Sequence, residues 1–240
     1  MKKISYLFYL SFLSLSAQIN LDVIYRVEFV FEEKEMKNDY VSPLIEMAKE
    51  AEKQMKFTLN YSDGRSKFYK NNQGIKSEGL EIASVFADAD NIFYSDFKTK
   101  ENYTEISQND MFKKNEFIVK DETVTNWTIV DSVKVIGDLK CNYAFTILNK
   151  DNIGTNKDVL VEAWFTPELP VSAGPKGFGN LPGLIIQLKV NKTVFIAEKI
   201  DELTKKRTIL LPEKGEIITN EKYLSILRER TLKIQSSRRE

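Results

Sequence analysis

The sequence predicts an α+β fold: a long, curved, mainly antiparallel sheet with two helices packed on it. Three observations carry this expectation. Ile19–Phe31 alternates apolar and polar residues with few errors, roughly ten strand candidates follow one another in hairpin order, and only two stretches show helical spacing. Strands in hairpin order favour antiparallel pairing, and long strands twist and curve. A sheet of this kind that half-closes as a half-barrel leaves a concave apolar face.

Taken in order, Met1–Ala17 reads as a secretory signal. Lys2-Lys3 supply its charged start, Ile4–Leu15 its apolar run and Ser16-Ala17 its small-residue cleavage site. The run is shorter than the roughly 20 residues a bilayer needs, so no membrane span is expected. No cysteine follows the run at the cleavage site. The expected product is therefore an exported protein of the periplasm or cell surface, without a lipid anchor, whose residues 18–240 form one domain.

In Ile19–Phe31, Ile19, Leu21, Val23, Tyr25, Val27, Phe29 and Phe31 face one way, with Ile24 and Val30 as exceptions on the polar side. At roughly 3.3 Å per residue this strand runs about 43 Å. A helix follows, with Ser42 as cap and Pro43 at its first position. Leu44, Met47, Ala48, Ala51 and Met55 form its apolar stripe, and Glu46/Lys49, Glu50/Lys53 and Glu52/Lys56 pair on its outer surface. Asp63-Gly64 between Phe57–Ser62 and Ser66–Lys70 marks a hairpin. Asn71–Gly79 reads as a loop.

Further strands are expected at Asn91–Phe97, Tyr103–Ser107, Glu116–Lys120, Trp127–Val130 and Val133–Ile136. After a turn at Gly137-Asp138 comes Cys141–Leu148, with Cys141, Tyr143, Phe145 and Ile147 on one face. A polar loop, Asn149–Lys157, leads to Asp158–Phe165. Strands also follow at Leu184–Val190, Thr193–Ile200 and near Arg207–Leu211. The chain closes with a helix capped by Thr219 or Asn220 and striped by Leu224, Leu227, Thr231 and Ile234.

The most punctuated stretch is the loop 167–183, which holds four of the six prolines and four of the ten glycines. Prolines stiffen a loop and reduce the entropy lost on ordering it. Such a loop is either a structural plug or a preorganised binding element.

Composition excludes several chemistries. There is no histidine, which removes Ser-His-Asp and Cys-His nucleophile systems, the usual zinc sites and any imidazole base. One cysteine, Cys141, permits no intrachain disulfide. Lys plus Arg balance Asp plus Glu at 35 each, so no basic excess draws in nucleic acid. No cofactor is expected.

Several residues remain as candidates. Cys141 could be a redox or acylation site, but a cysteine on an apolar strand face packs as a small hydrophobe. Trp164, Phe165 and Phe178 could line a pocket or a partner surface, or anchor the loop to the core. Gly174–Gly179 with Lys176 lacks the spacing of a phosphate loop. Glu162 and Glu168 could pair as acid and base, with solvated surface as the alternative. Asp88, Asp90 and Asp96 lack the glycine and terminal glutamate of a calcium loop.

The stretch AWFTPELP, then GP, then LPGLI, within Ala163–Ile185, resembles the GLPGLI family of exported proteins of the Bacteroidetes. Trp127 and the G-x-x-K-C element at Gly137–Cys141 extend the resemblance, and Asn180 stands in place of the first glycine. Asn tolerates the left-handed backbone such a glycine supplies. The resemblance implies compartment and fold but no activity. It marks Trp164, Phe165, Pro167, Pro170, Gly174, Pro175, Phe178, Leu181, Pro182, Gly183 and Leu184 as motif residues and a candidate binding surface.

The function expected is a non-enzymatic binding or carrier module for an apolar ligand, held on the concave face. The alternatives are a partner of an outer-membrane protein assembly, and an enzyme using carboxylates or Cys141. The binding or carrier module as expected needs an open pocket near Trp164, and solid core there removes the hypothesis outright.

Overall fold

The computed structural model describes residues 19–71, 77–149 and 157–237. The signal segment Met1–Ala17 and most of the two polar loops expected at Asn71–Gly79 and Asn149–Lys157 lie outside the described residues.

Twelve strands form one open, curved sheet. In chain order they are β1 (Asn20–Phe29), β2 (Lys56–Ser62), β3 (Arg65–Lys70), β4 (Ile92–Asp96), β5 (Glu101–Glu105) and β6 (Phe117–Glu122). The second half holds β7 (Thr128–Ile136), β8 (Leu139–Leu148), β9 (Val159–Thr166), β10 (Leu184–Val190), β11 (Thr193–Glu202) and β12 (Glu216–Thr219). The order across the sheet is β12-β6-β5-β4-β3-β2-β1-β11-β10-β9-β8-β7. Two hairpin meanders, β1 to β6 and β7 to β11, are thus joined through one ladder, β1 against β11. Every pairing is antiparallel except that of β12 with β6.

The alternation of Ile19–Phe31 puts Leu21, Val23, Tyr25, Val27, Phe29 and Phe31 in the core, and leaves Asp22, Ile24, Arg26 and Glu28 half-buried on the other face. Phe57 of β2 stacks on Phe68 of β3 with centroids 5.3 Å apart, and Phe195 of β11 meets both edge-on. The Asp63-Gly64 turn has both residues at positive φ, which matches the right-handed twist of the strands it joins.

Four helices occur among the described residues, not two: α1 (Glu33–Met36), α2 (Ser42–Glu52), α3 (Glu78–Ala87) and α4 (Asn220–Ser237). Helix α3 begins inside the stretch expected as a loop. The Ser77 side chain accepts from Leu80 N at 3.2 Å as its cap, and Leu80, Ala83, Ser84 and Ala87 make its buried stripe. In α2 the buried face is Ile45, Ala48 and Ala51, and Leu44 is exposed. Glu52 accepts from Phe29 N at 2.7 Å and Lys56 pairs with Glu198, so the expected Glu52/Lys56 pair does not form.

Three strand expectations change. Trp127–Val130 and Val133–Ile136 are parts of one strand, β7, with an irregularity between Val130 and Val133. Arg207–Leu211 is not a strand. Arg207 donates to both oxygens of Asp22 and Ile209 is buried, so side chains hold this segment on the sheet. The strand that does follow is β12, from Glu216. In β8, Cys141, Tyr143, Phe145 and Ile147 share one face as expected, but Ala144 and Thr146 are the buried residues in the strand's second half. Ala144 lies directly opposite Ala163, both fully buried, so the smaller side chains take the core side there.

Candidate functional site

After β9 ends at Thr166 the chain crosses the core side of the sheet and returns as β10. Val171, Ala173, Pro175, Phe178 and Leu181 of this crossover are buried, so its apolar residues are core. Its backbone is satisfied locally. Leu184 N donates to Leu169 O and Ile185 N to Ala173 O, both at 2.9 Å, while Ala173 and Gly179 form a bridge. The short turn Pro175–Gly177 lies against β3 and β4. There Asn102 Nδ2 and Ser95 Oγ both donate to Gly177 O. From β1, the Tyr25 hydroxyl donates to Ile185 O at 2.6 Å. Burial pushes this phenol's pKa up, so it stays a donor.

The anchors are specific. Trp127 Nε1 donates to Gly179 O at 2.8 Å and its ring meets Phe178 edge-on at 6.1 Å. Asn180 takes the left-handed conformation expected of it, with φ 60°. Its Nδ2 also donates to Thr123 Oγ1 at 2.9 Å and Val124 O at 2.8 Å, contacts no glycine could supply. Gly183 has φ 158°, and a Cβ built on it would lie 2.0 Å from Thr166 O.

The motif residues therefore divide among three places. Phe165, Gly174, Pro175, Phe178, Leu181, Gly183 and Leu184 are buried plug and core, while Pro167, Pro170 and Pro182 are exposed. Trp164 lies on the opposite face from Phe165, away from the crossover. Its ring lies tilted against Tyr143, with centroids 4.9 Å apart, and carries the Lys134 ammonium 4.2 Å over it. The core side near Trp164 is solid: Ala163, Phe165, Ala173, Leu184 and Ile185 are each at most 1% exposed. A carrier cavity at that position is excluded.

The candidate chemistries separate in the same way. Glu162 accepts from Lys189 at 2.6 Å and from the Tyr143 hydroxyl at 3.1 Å, and the Lys189 ammonium holds its carboxyl below the usual range. Glu168 instead accepts from Lys140 N at 3.0 Å, so the two glutamates serve different partners. Cys141 is fully buried, and desolvation pushes its thiol up to about 11. At neutral pH it is a thiol and not a nucleophile. Asp88, Asp90 and Asp96 face three different cations, Lys176, Lys70 and Arg65.

A groove of about 370 Å3 opens beside the plug. Its walls are Phe93, Ile106 and Val119 from the first meander, Leu148, Val159 and Val190 from the second, Phe178 from the plug and Leu224 from α4. Lys176 and Asp88 line it too. Lys176 Nζ donates to Asp88 Oδ2 at 2.8 Å and lies 5.3 Å over the Phe93 ring. The volume and mixture are those of a small-molecule site, mostly apolar with a few placed polar groups. A larger hollow along β5, β6 and β12 is lined mainly by charged and polar side chains, with Lys120 paired to Glu101. Sequence reasoning reached Phe178, Lys176 and Asp88 of the groove but not its other apolar walls. Those come from seven separate segments and share no motif.

The model of the family described as "Protein of unknown function (Porph_ging)" matches residues 32–187. The chain belongs to this family. The match spans α1 to α3, β2 to β9 and the plug with its anchor Trp127, and begins after β1. No curated protein matches the chain. Among solved structures, PNGF-II in space group P21 is similar at 16% identity and TM-score 0.51, covering 89% of this chain and 34% of that one. PNGF-II in space group C2 is similar at 16% identity and TM-score 0.48, covering 88% and 33%. At this identity the first likeness shows the fold alone. The chain spans about a third of the length of the PNGF-II chains it matches.

Proposed function

We propose that this protein is a non-enzymatic binding module for an apolar small molecule, which it holds in the groove beside Phe178. The observation that carries this reading is the groove itself: about 370 Å3 of space with mostly apolar walls, beside a plug whose own apolar residues are buried. The Pro/Gly crossover is then both plug and wall. It closes most of the sheet and leaves a rigid edge at Lys176–Phe178. Rigid walls bind without paying to order themselves.

The test fills the groove. Thr104 lines it, and a tryptophan there should occupy the space. An environment-sensitive apolar dye should light up on the natural protein and not on Thr104→Trp, with the melting temperature nearly unchanged. Equal dye binding by both proteins would remove the groove as the site. Native mass spectrometry of protein purified without denaturant should show a retained apolar ligand.

The GLPGLI-type identity, a Bacteroidetes source and export to the periplasm or cell surface belong to the same proposal. They rest on the motif within Ala163–Ile185 and on the signal-like Met1–Ala17. N-terminal sequencing of protein from fractionated cells tests them, with Gln18 as the expected first residue.

A second reading, an assembly partner of an outer-membrane protein, is favoured by the sheet edge. Among the described residues strand β7 pairs on one side only, and its Ile129, Val133 and Val135 are exposed. Exposed β-branched edge strands are templates for strand addition. Cross-linking from position 133 should then reach a membrane protein, and Val135→Lys should abolish it. A cross-link unchanged by that substitution speaks against the edge.

A further inference from the structure

We infer that the groove takes a single-chain amphiphile with an anionic head, its tail along Phe93, Ile106, Val119 and Leu224 and its head on Lys176 in place of Asp88. This rests on the groove being the small-molecule site. It adds the class of ligand.

Burial of charge decides the head. Among the described lining residues Lys176 is the one cation, and the two carboxylates, Asp88 and Asp121, are both exposed. Its side chain is 15% exposed, whereas its partner Asp88 is 52% exposed. The two halves of the ion pair therefore differ in what they lose on separation. Asp88 can turn into water and keep its contact from Asn91 Nδ2. The lysine cannot leave the groove. The ammonium stays compensated only if another anion takes the place of Asp88, and a ligand carboxylate in the groove would do so while Asp88 regains water.

The lysine is also held in place. Its backbone sits in the left-handed region at φ 55°, ψ 30°, between Pro175 and Gly177. That conformation costs a non-glycine residue roughly 1–2 kcal/mol, and it persists because the plug around it is fixed by Ser95, Asn102 and Trp127. The ammonium donates toward Ala87 O at 3.4 Å as well as to Asp88, and it lies over Phe93, a ring of the apolar wall. Head site and tail site are therefore contiguous.

Size sets the tail. At about 30 Å3 for each water-sized group, the groove holds roughly twelve such groups. That suits a chain of about ten carbons with a compact head. Decanoate, decanol and decylamine are matched probes for the full-length mature protein, read by titration calorimetry. A charge-assisted hydrogen bond contributes about 1.5–3 kcal/mol, so decanoate should bind at least ~10-fold more tightly than decanol. Lys176→Gln should erase that preference and leave decanol binding unchanged. Lys176→Arg should keep it, which separates charge from any loss of loop structure, and Asp88→Asn should raise decanoate affinity several-fold. Equal binding of decanoate and decanol, or an undiminished preference in Lys176→Gln, overturns the assignment of the head but leaves the groove standing. Tighter binding of decylamine than of decanoate overturns it in favour of Asp88 as the head site. No binding of any probe overturns the groove reading itself.

Discussion

At the scale of single residues, the crossover depends on positions where one atom matters. Gly183 sits at φ 158° with its missing Cβ only 2.0 Å from Thr166 O. The clash partner is backbone at the end of β9, so it cannot swing aside as a side chain would. Gly183→Ala should destabilise by about 3 kcal/mol or more, from strain and displaced packing together. Urea unfolding followed by tryptophan fluorescence measures this. A loss under about 1 kcal/mol, the ordinary cost of a surface change, would show that the turn relaxes instead. Asn180, two bonds of logic away, shows the opposite strategy. Where the motif has glycine, this chain keeps the left-handed backbone and adds two hydrogen bonds to the β6–β7 connection.

At the scale of elements, α4 is attached by few contacts, and one of them titrates. Arg230 donates to both carboxylate oxygens of Glu116 and to Met111 O, and its guanidinium lies 4.9 Å from the Phe112 ring centroid. The Arg230 hydrogen bond, with Lys113 N, holds the Glu116 carboxyl down to about 2 from 4.5. The folded value lies below the unfolded one. The pair therefore stabilises the protein above about pH 4.5, and its contribution is lost as the pH falls through that value toward 2. Both side chains are partly solvated, so solvent screening limits the contribution to about 1 kcal/mol. Arg230→Gln should lower the melting temperature at pH 7 and flatten its fall between pH 5 and about 2. A natural protein and variant with parallel acid limbs would show that the pair adds nothing.

Elements also show what the sequence made legible. Period-two patterns located β1 and β8 to β11 closely, and the Asp63-Gly64 turn located the β2–β3 hairpin. Helix α3 was hidden because its cap follows a polar stretch and Gly79 stands in its first turn, although Leu80, Ala83, Ser84 and Ala87 have helical spacing. Strand β12 is four residues long and pairs in parallel, so no hairpin turn announces it. The crossover was legible as a stiff loop from its Pro and Gly content. Its role as plug was not, since burial of Val171, Ala173 and Leu181 depends on which strands curl over them. Trp164 alternates correctly with Phe165, but alternation does not say which face the plug covers. The groove was least legible of all, being a gap between distant elements.

For the whole molecule, the sheet consists of two local meanders that meet in one long-range ladder. Leu21 pairs with Glu202 and Phe29 with Thr193, so β1 and β11 come together from opposite ends of the domain. Closing a loop of that length is slow, while each meander is built from hairpins. Independent unfolding of the halves would follow if the ladder were their only link. It is not, because the plug from the second meander is bonded into the first: Gly177 O accepts from Asn102 and Ser95, Asn180 reaches Thr123, and Ile185 O accepts from Tyr25. One hydrophobic cluster runs from Leu21 through Phe68 to Leu188 and Phe195. The halves should therefore unfold together. Both tryptophans, Trp127 and Trp164, lie in the second meander, so fluorescence reports on that half and far-UV circular dichroism on the whole. The two probes should give coincident urea transitions. Tyr25→Phe leaves Ile185 O buried without its donor, at a cost of about 1–3 kcal/mol. If that bond is one tie among several, the transitions shift to lower urea and stay coincident. If the two curves separate in Tyr25→Phe, the meanders are autonomous and this hydroxyl is what couples them.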